Sequence, residues 1–296
     1  MRERGPQKSG RQMGCMGAEG PSSFGITHLS FDALGSSCHL LGVGFDRERL
    51  EEGAAWVVEM HQRFSRFLAG SELSRFNASA GSQVEVSPEL EAMLRAAVAA
   101  WWASGGLVNA SVLDAMLAIG YTRPLSQGPT RAAPVATLAP LSPLPEVLQV
   151  GSRSAWLHRG VGVDLGGIAK GWMADRLAAE LGENCLVNLG GDLSARGGGP
   201  AGDGWPVTLG GVTVLLRDQA AATSGTRSRR WKQGARTLHH LIDPRTGRPA
   251  ETDLVEVSAV AESAVQAEVC AKTALLRGSE YAPAYLAGNA LGWWMA

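Results

Sequence analysis

Hydrophobic and polar positions change period several times along the chain, and each change marks an element. Segments around Ile26–Phe31 and Ser37–Phe45 read as strands joined at "ALGSS". From Leu50 the apolar residues recur every three or four positions (Leu50, Ala54, Val57, Phe64, Leu68), which predicts a long amphipathic helix. Ser87-Pro88-Glu89 supplies a cap, a first-turn proline and an early acid for a second helix. That helix runs through Leu94, Val98 and Trp101 to the glycine pair at 105 and 106. Residues 123–147, rich in Pro, Ala and Ser, read as a long connection.

Signals are denser beyond it. "VDLGGIAKGWMADRLAAEL" reads as a strand, a Gly-Gly turn and a helix, and "CLVNLGGD" as a buried strand ending in glycines. Gly197–Gly199 begin a loose connection, and "WPVTLGGVTVLLR" reads as a hairpin. A strand over Thr237–Ile242 puts Leu238, His240 and Ile242 on one face, and "DPRTGRP" stops it. A further strand spans Leu254–Ala261, and a last helix begins at Ser263. Strands and helices mix without a regular βαβ rhythm, so the expected class is α+β rather than a doubly wound sheet.

Composition narrows the function classes. Of 296 residues, 45% are hydrophobic and 19% charged, which suits a soluble globular protein. A formal net charge of −1 gives no electrostatic case for nucleic acid. No apolar run approaches the roughly 20 residues of a membrane-spanning helix. The 4 cysteines (Cys15, Cys38, Cys185, Cys270) are scattered and read as reduced thiols. Residues 1–23 are polar and Gly-rich and are expected to form a disordered tail ahead of one functional domain at 24–296. "QMGC" lacks the apolar stretch that precedes a lipid-attachment cysteine, so the expected compartment is the cytoplasm.

Candidate chemistry gathers at glycine-bearing strand ends. In "VDLGGIAKG" the glycines let backbone N–H groups approach an anion, with Asp164 before the turn and Lys170 after it. Tight packing of a strand against a helix explains that turn about as well, and it is neither a dinucleotide nor a P-loop fingerprint. "VNLGGD" and "ATSG" repeat the device. If these ends converge with the histidine strand, they make one cleft for an extended phosphorylated ligand. Taken alone, His240 reads more simply as a core histidine with a satisfied hydrogen bond.

"VDLGGIAKGWMAD", "VNLGGD", "ATSG" and "HLIDPRTGRP", in this order and at these separations, closely resemble the ApbE-type flavin transferases. "ALGSS", "SELSRFN" (Ser71–Asn77) and "GLVNASV" (Gly106–Val112) extend the resemblance to about residues 25–290. It implies a T-fold-related α+β enzyme, with mixed sheets and packed helices in two lobes (about 24–122 and 151–296) around a flavin cleft. FAD would be the substrate, with Mg²⁺ bridging its diphosphate. FMN would pass to a threonine hydroxyl of an acceptor flavoprotein, with release of AMP. Some relatives instead hydrolyse FAD to FMN and AMP.

The resemblance assigns flavin contacts to Leu34, Phe67, Val108, Asn109, Asp164, Gly167, Lys170, Asn188, Ser224 and His240. His240 would be the base, with Asp243 orienting or polarising it. The metal ligands would be the carbonyl of Ala169 and the side chain of Glu268, while Lys272 stands at the family's threonine. A lysine ammonium has no lone pair and cannot bind a metal. Either it stands near where the metal's charge would lie, or Glu268 and Lys272 form an ordinary helix-surface pair. A non-catalytic FAD-binding protein that has lost the metal site is therefore a third reading, beside transferase and FAD pyrophosphatase. Trp101 and Trp102 are expected in the core, and Trp231 in an exposed loop.

Overall fold

The computed structural model describes residues 25–128, 139–233 and 236–296; the expected tail, Cys15 and the middle of the Pro/Ala-rich connection lie outside them. Seven strands form one sheet: β1 (Ile26–Ala33), β2 (Ser36–Val43), β3 (Cys185–Leu189), β4 (Asp192–Arg196), β5 (Ala220–Gly225), β6 (Glu256–Ala261) and β7 (Gly292–Met295). Every neighbouring pair is antiparallel, and spatial order follows chain order. The first, third and fifth strands consequently run the same way, so their C-terminal ends share one end of the sheet.

Those ends turn tightly. Ala33 pairs with Ser36, leaving Leu34 (φ 58°) and Gly35 (φ 67°) as a two-residue turn whose positive φ values match the sheet's twist. A leucine held there costs roughly 1–2 kcal/mol in backbone sterics. Leu189 likewise pairs with Asp192 around Gly190 and Gly191.

Helices α1 (Arg47–Phe64), α2 (Glu72–Ala78), α3 (Pro88–Ala103), α4 (Leu113–Ala118), α5 (Ala169–Leu181) and α6 (Ala264–Asn289) occur between the strands. α1, α5 and α6 pack against the sheet. Alternation sorts the strand residues: Cys185, Val187 and Leu189 enter the helix-side core, whereas Leu186 joins Leu193, Trp205 and Leu216 in a separate cluster. The Trp205–Leu209/Val212–Leu216 hairpin supplies that second cluster. β3 is thus covered on both faces, which explains its nearly continuous apolar run. The two expected lobes share one sheet and one core, since Leu40 and Leu94 pack in the same cluster as Leu157, Met173 and Val187.

Two contacts fix α5 against α6. A Cβ on Gly171 would stand 2.9 Å from the Val265 nitrogen, so the helix starts approach more closely than any side chain allows. The Asp175 carboxylate accepts the Ala264 and Val265 N–H groups at 2.7 and 3.2 Å, capping α6.

Several expectations need correction. α1 stops at Phe64, with Ser65 extended, so Leu68 falls outside the helix and is exposed. No strand enters the Gly166 turn: the Asn77 side-chain amide bonds Val163 N–H and C=O, both at 2.9 Å, replacing a ladder partner. The histidine strand breaks after His239, and Ile242–Asp243 pair instead with Arg248–Pro249. Trp102 is 66% exposed rather than core. Trp231 is buried, donating to the Ile119 carbonyl at 3.2 Å and lying against Tyr121.

Candidate functional site

At the shared sheet end lies a cleft of about 900 Å³, within the usual range for a small-molecule site. It is lined by the Leu34–Gly35 turn, Gly190, Ser224, the Gly166–Gly167 turn before α5, and Glu268 and Lys272 of α6. Phe67, Val108, Asn109, Asp164, Ala169, Lys170 and His240 also face it. Topology explains the convergence, because odd-numbered strands of this sheet can deliver their ends only to this side.

Ion pairs hold most of its charge. Arg66 Nε lies 2.6 Å from Asp164 Oδ2, the two side chains being 5% and 9% exposed. Arg66 also donates to the Tyr121 carbonyl at 2.8 Å and stacks over the rings of Phe67 and Tyr121. Lys170 Nζ lies 2.5 Å from Asp192 Oδ1; burial pushes the Asp192 carboxyl upward while the ammonium pulls it back. Lys272 Nζ lies 2.8 Å from Glu268 Oε1, and Ser224 Oγ donates to Glu268 Oε2 at 3.2 Å. This last pair does sit at i and i+4, but it is buried against the cleft rather than on the helix surface.

The anion-binding potential sits at α5. No side chain caps its start at Ile168; the Ile168 and Ala169 N–H groups bond the Leu165 carbonyl at 2.9 and 2.7 Å, and Ile168, Ala169 and Lys170 put the favourable end of the helix dipole at the cleft wall. Asp164 shapes the preceding turn by accepting the Gly166 N–H at 2.8 Å.

His240 sits in the break between two strands, with Nδ1 buried and, among the described residues, without a hydrogen-bond partner. Burial first, then the nearby charges of Arg229 and Lys272, holds this imidazole well below its ordinary pKa. It is therefore neutral at pH 7; the same burial and cations weaken it as a base, so a proton it takes up needs the negative charge that a bound diphosphate would bring. Its neighbour His239 is the satisfied core histidine, bonded to Ala250 O at 3.0 Å and to Leu241 N at 3.3 Å.

Two expected site residues are used elsewhere. Asn188 does not line the cleft; its Oδ1 accepts the Gly191 N–H at 2.9 Å and braces the hairpin turn. Asp243 does not orient His240: its carboxylate is bridged by Arg245, with Nη2–Oδ2 at 2.8 Å and Nε–Oδ1 at 2.9 Å. Asn109 faces the cleft but spends its amide on the Ser142 carbonyl (2.9 Å) and its oxygen on Ser111 (2.8 Å). An aspartate could not make the first of these bonds.

Arg66, Arg229, His61 and Tyr121 also line the cleft, and sequence reasoning missed them. His61 Nδ1 accepts the Leu34 N–H at 3.3 Å, linking α1 to the strained turn. Arg66 lies just past the end of α1 at Phe64, where Ser65 is already extended, and no motif in the sequence marks it.

The expected Mg²⁺ site fails a test of its donors. Divalent magnesium needs an octahedron of oxygens. Both Glu268 oxygens are engaged, and the neighbouring lysine offers none. Among the described residues no group of three or more His, Cys, Asp or Glu side chains could hold a metal ion. Nor is any described helix long and apolar enough to cross a membrane.

The ApbE family profile matches residues 33–292. The FAD:protein FMN transferase of Treponema pallidum (strain Nichols) is 30% identical over 268 residues, covering 80% of this chain and 73% of that protein. That of Klebsiella pneumoniae (strain 342) is 29% identical over 233 residues, covering 73% and 72%. Among solved structures, the flavin transferase ApbE of Vibrio cholerae superposes with a TM-score of 0.74 at 25% identity, covering 89% of this chain and 91% of that one. The apo flavinyl transferase ApbE of Pseudomonas stutzeri gives 0.76 at 22% identity, covering 89% and 88%.

Proposed function

The chain belongs to the ApbE family, and on that premise we propose that it is an FAD:protein FMN transferase. It takes FAD as substrate, passes FMN to a threonine hydroxyl of a separate acceptor flavoprotein and releases AMP. The observation that carries this reading is the meeting of an uncapped helix start, two tight turns and a neutral imidazole in one cleft. The FAD diphosphate suits the positive end of the α5 dipole, and the flavin and adenine rings suit the apolar walls near Leu34, Phe67 and Val108.

In the proposed step His240 removes the hydroxyl proton of the acceptor threonine. The threonine oxygen forms a bond to the flavin-side phosphorus, and the bond from that phosphorus to the bridging oxygen breaks. AMP leaves with the electron pair. The positive end of the α5 dipole stabilises the charge that builds on the phosphoryl oxygens. Lys170, held against Asp192, adds a positive charge on the same side.

The test is incubation with FAD and an acceptor flavoprotein, followed by mass spectrometry of the acceptor and chromatography of nucleotides. AMP together with covalently flavinylated acceptor supports transfer. AMP with free FMN and unmodified acceptor makes the chain an FAD pyrophosphatase, and bound FAD without AMP makes it a non-catalytic binder.

A further inference from the structure

We propose that the Lys272 ammonium is a resident cation for the FAD diphosphate, standing in this chain where a divalent metal ion would otherwise act. The inference rests on the flavin-transferase reading and deepens it. Glu268 and Lys272 sit one helical turn apart, with side chains only 9% and 14% exposed, and both face the cleft. The ammonium also lies over Gly167: a Cβ added there would overlap Nζ, so this glycine makes room for the lysine. Gly167 immediately precedes the α5 start, which no side chain caps, so the tethered charge and the positive end of the helix dipole serve the same anion position.

The surroundings suit a ligand-facing ammonium. Its ion-pair partner among the described residues is Glu268, whose other oxygen is held by Ser224. One partner leaves donors of the three-donor ammonium for phosphate oxygens. A dication entering beside it would meet direct repulsion from Nζ and find the Glu268 oxygens already engaged. The same lysine that supplies charge therefore keeps a metal out. This specificity is built from one helix turn and one glycine.

The test is FAD binding by the full chain, followed by quenching of flavin fluorescence in EDTA and in excess Mg²⁺. Wild-type protein is expected to bind FAD with the same Kd, within about twofold, in both conditions. Lys272→Met should weaken binding in EDTA by about tenfold or more, the factor that corresponds to roughly 1.4 kcal/mol. Lys272→Thr should bind weakly in EDTA and recover with Mg²⁺. Because Lys272→Met strands a buried Glu268, the double variant Glu268→Gln/Lys272→Met is measured too, after thermal melting has established that each variant folds. The double variant should stay weak, since it removes the stranded charge without restoring the cation. Wild-type binding that requires Mg²⁺, or a double variant that binds as wild type does, overturns the assignment of Lys272. No FAD binding by wild type in either condition overturns the flavin reading along with it, so the two failures are distinct.

Discussion

Replacing His240 by asparagine tests the central chemical claim, because the structure predicts both a stability signature and a kinetic one. Burial and neighbouring cations lower the folded pKa of His240, so the unfolded chain binds a proton that the folded chain refuses. The sign follows: with a folded value below the unfolded value of about 6.5, stability falls as pH drops through 6.5 and is fully present above it. If the folded imidazole stays neutral down to pH 5.5, His240 contributes a loss of roughly 1.3 kcal/mol between pH 7.5 and 5.5. His61 and His239, also lowered by burial, act in the same direction, whereas the raised carboxyls of Asp175 and Asp192 oppose it. The difference between wild type and His240→Asn cancels those shared contributions. Urea unfolding of both proteins at the two pH values reads it, as a shallower pH dependence in the variant. Turnover, measured as AMP release, should fall by about 10²–10⁴-fold, the usual contribution of a positioned base. An unchanged pH dependence together with unchanged turnover would refute both the buried neutral imidazole and its role.

Arg66→Met should destabilise the protein by roughly 3–5 kcal/mol, because it leaves the Asp164 carboxylate buried and unpaired; the urea midpoint reports it, and Arg66→Met/Asp164→Asn should recover part of the loss. Gly171→Ala should cost about 1–3 kcal/mol, since its methyl would press on backbone at the α6 start; a melting curve unchanged from wild type contradicts the close approach of the two helices. Asp243→Asn should lower thermal stability by about 1 kcal/mol through the weakened Arg245 bridge. It should leave the pH profile of turnover in place, because the carboxylate does not hold His240.

The site was legible in parts. Glycine pairs and hydroxyl-bearing strand ends announced themselves locally, because a two-residue turn demands positive φ and a close backbone approach demands no side chain. The resemblance of motif order carried the family, and Lys272 is a chemical misfit at the family's threonine position in the sequence itself. Apart from the Glu268–Lys272 pair, four residues apart on one helix, partners were not legible. Asp243 looked like an orienting acid from its spacing to His240, yet Arg245, two residues on, claims it. Asn188 looked like a ligand contact beside its glycines, yet it folds back on the turn. His239 and His240 are adjacent and chemically alike; which one enters the core depends on where the strand breaks.

The order of periods along the chain by itself determined an α+β protein with tight turns at particular residues, because steric limits on φ and side-chain alternation act over a few neighbours. Convergence was decided only in three dimensions. An antiparallel sheet ordered as the chain is ordered brings the ends of its odd strands to one side, over a helix start 130 residues or so from the first turn. The ion partnerships of Arg66 with Asp164 and of Lys170 with Asp192 were likewise settled by packing, since a charge removed from water takes whichever counter-charge the fold leaves within about 3 Å.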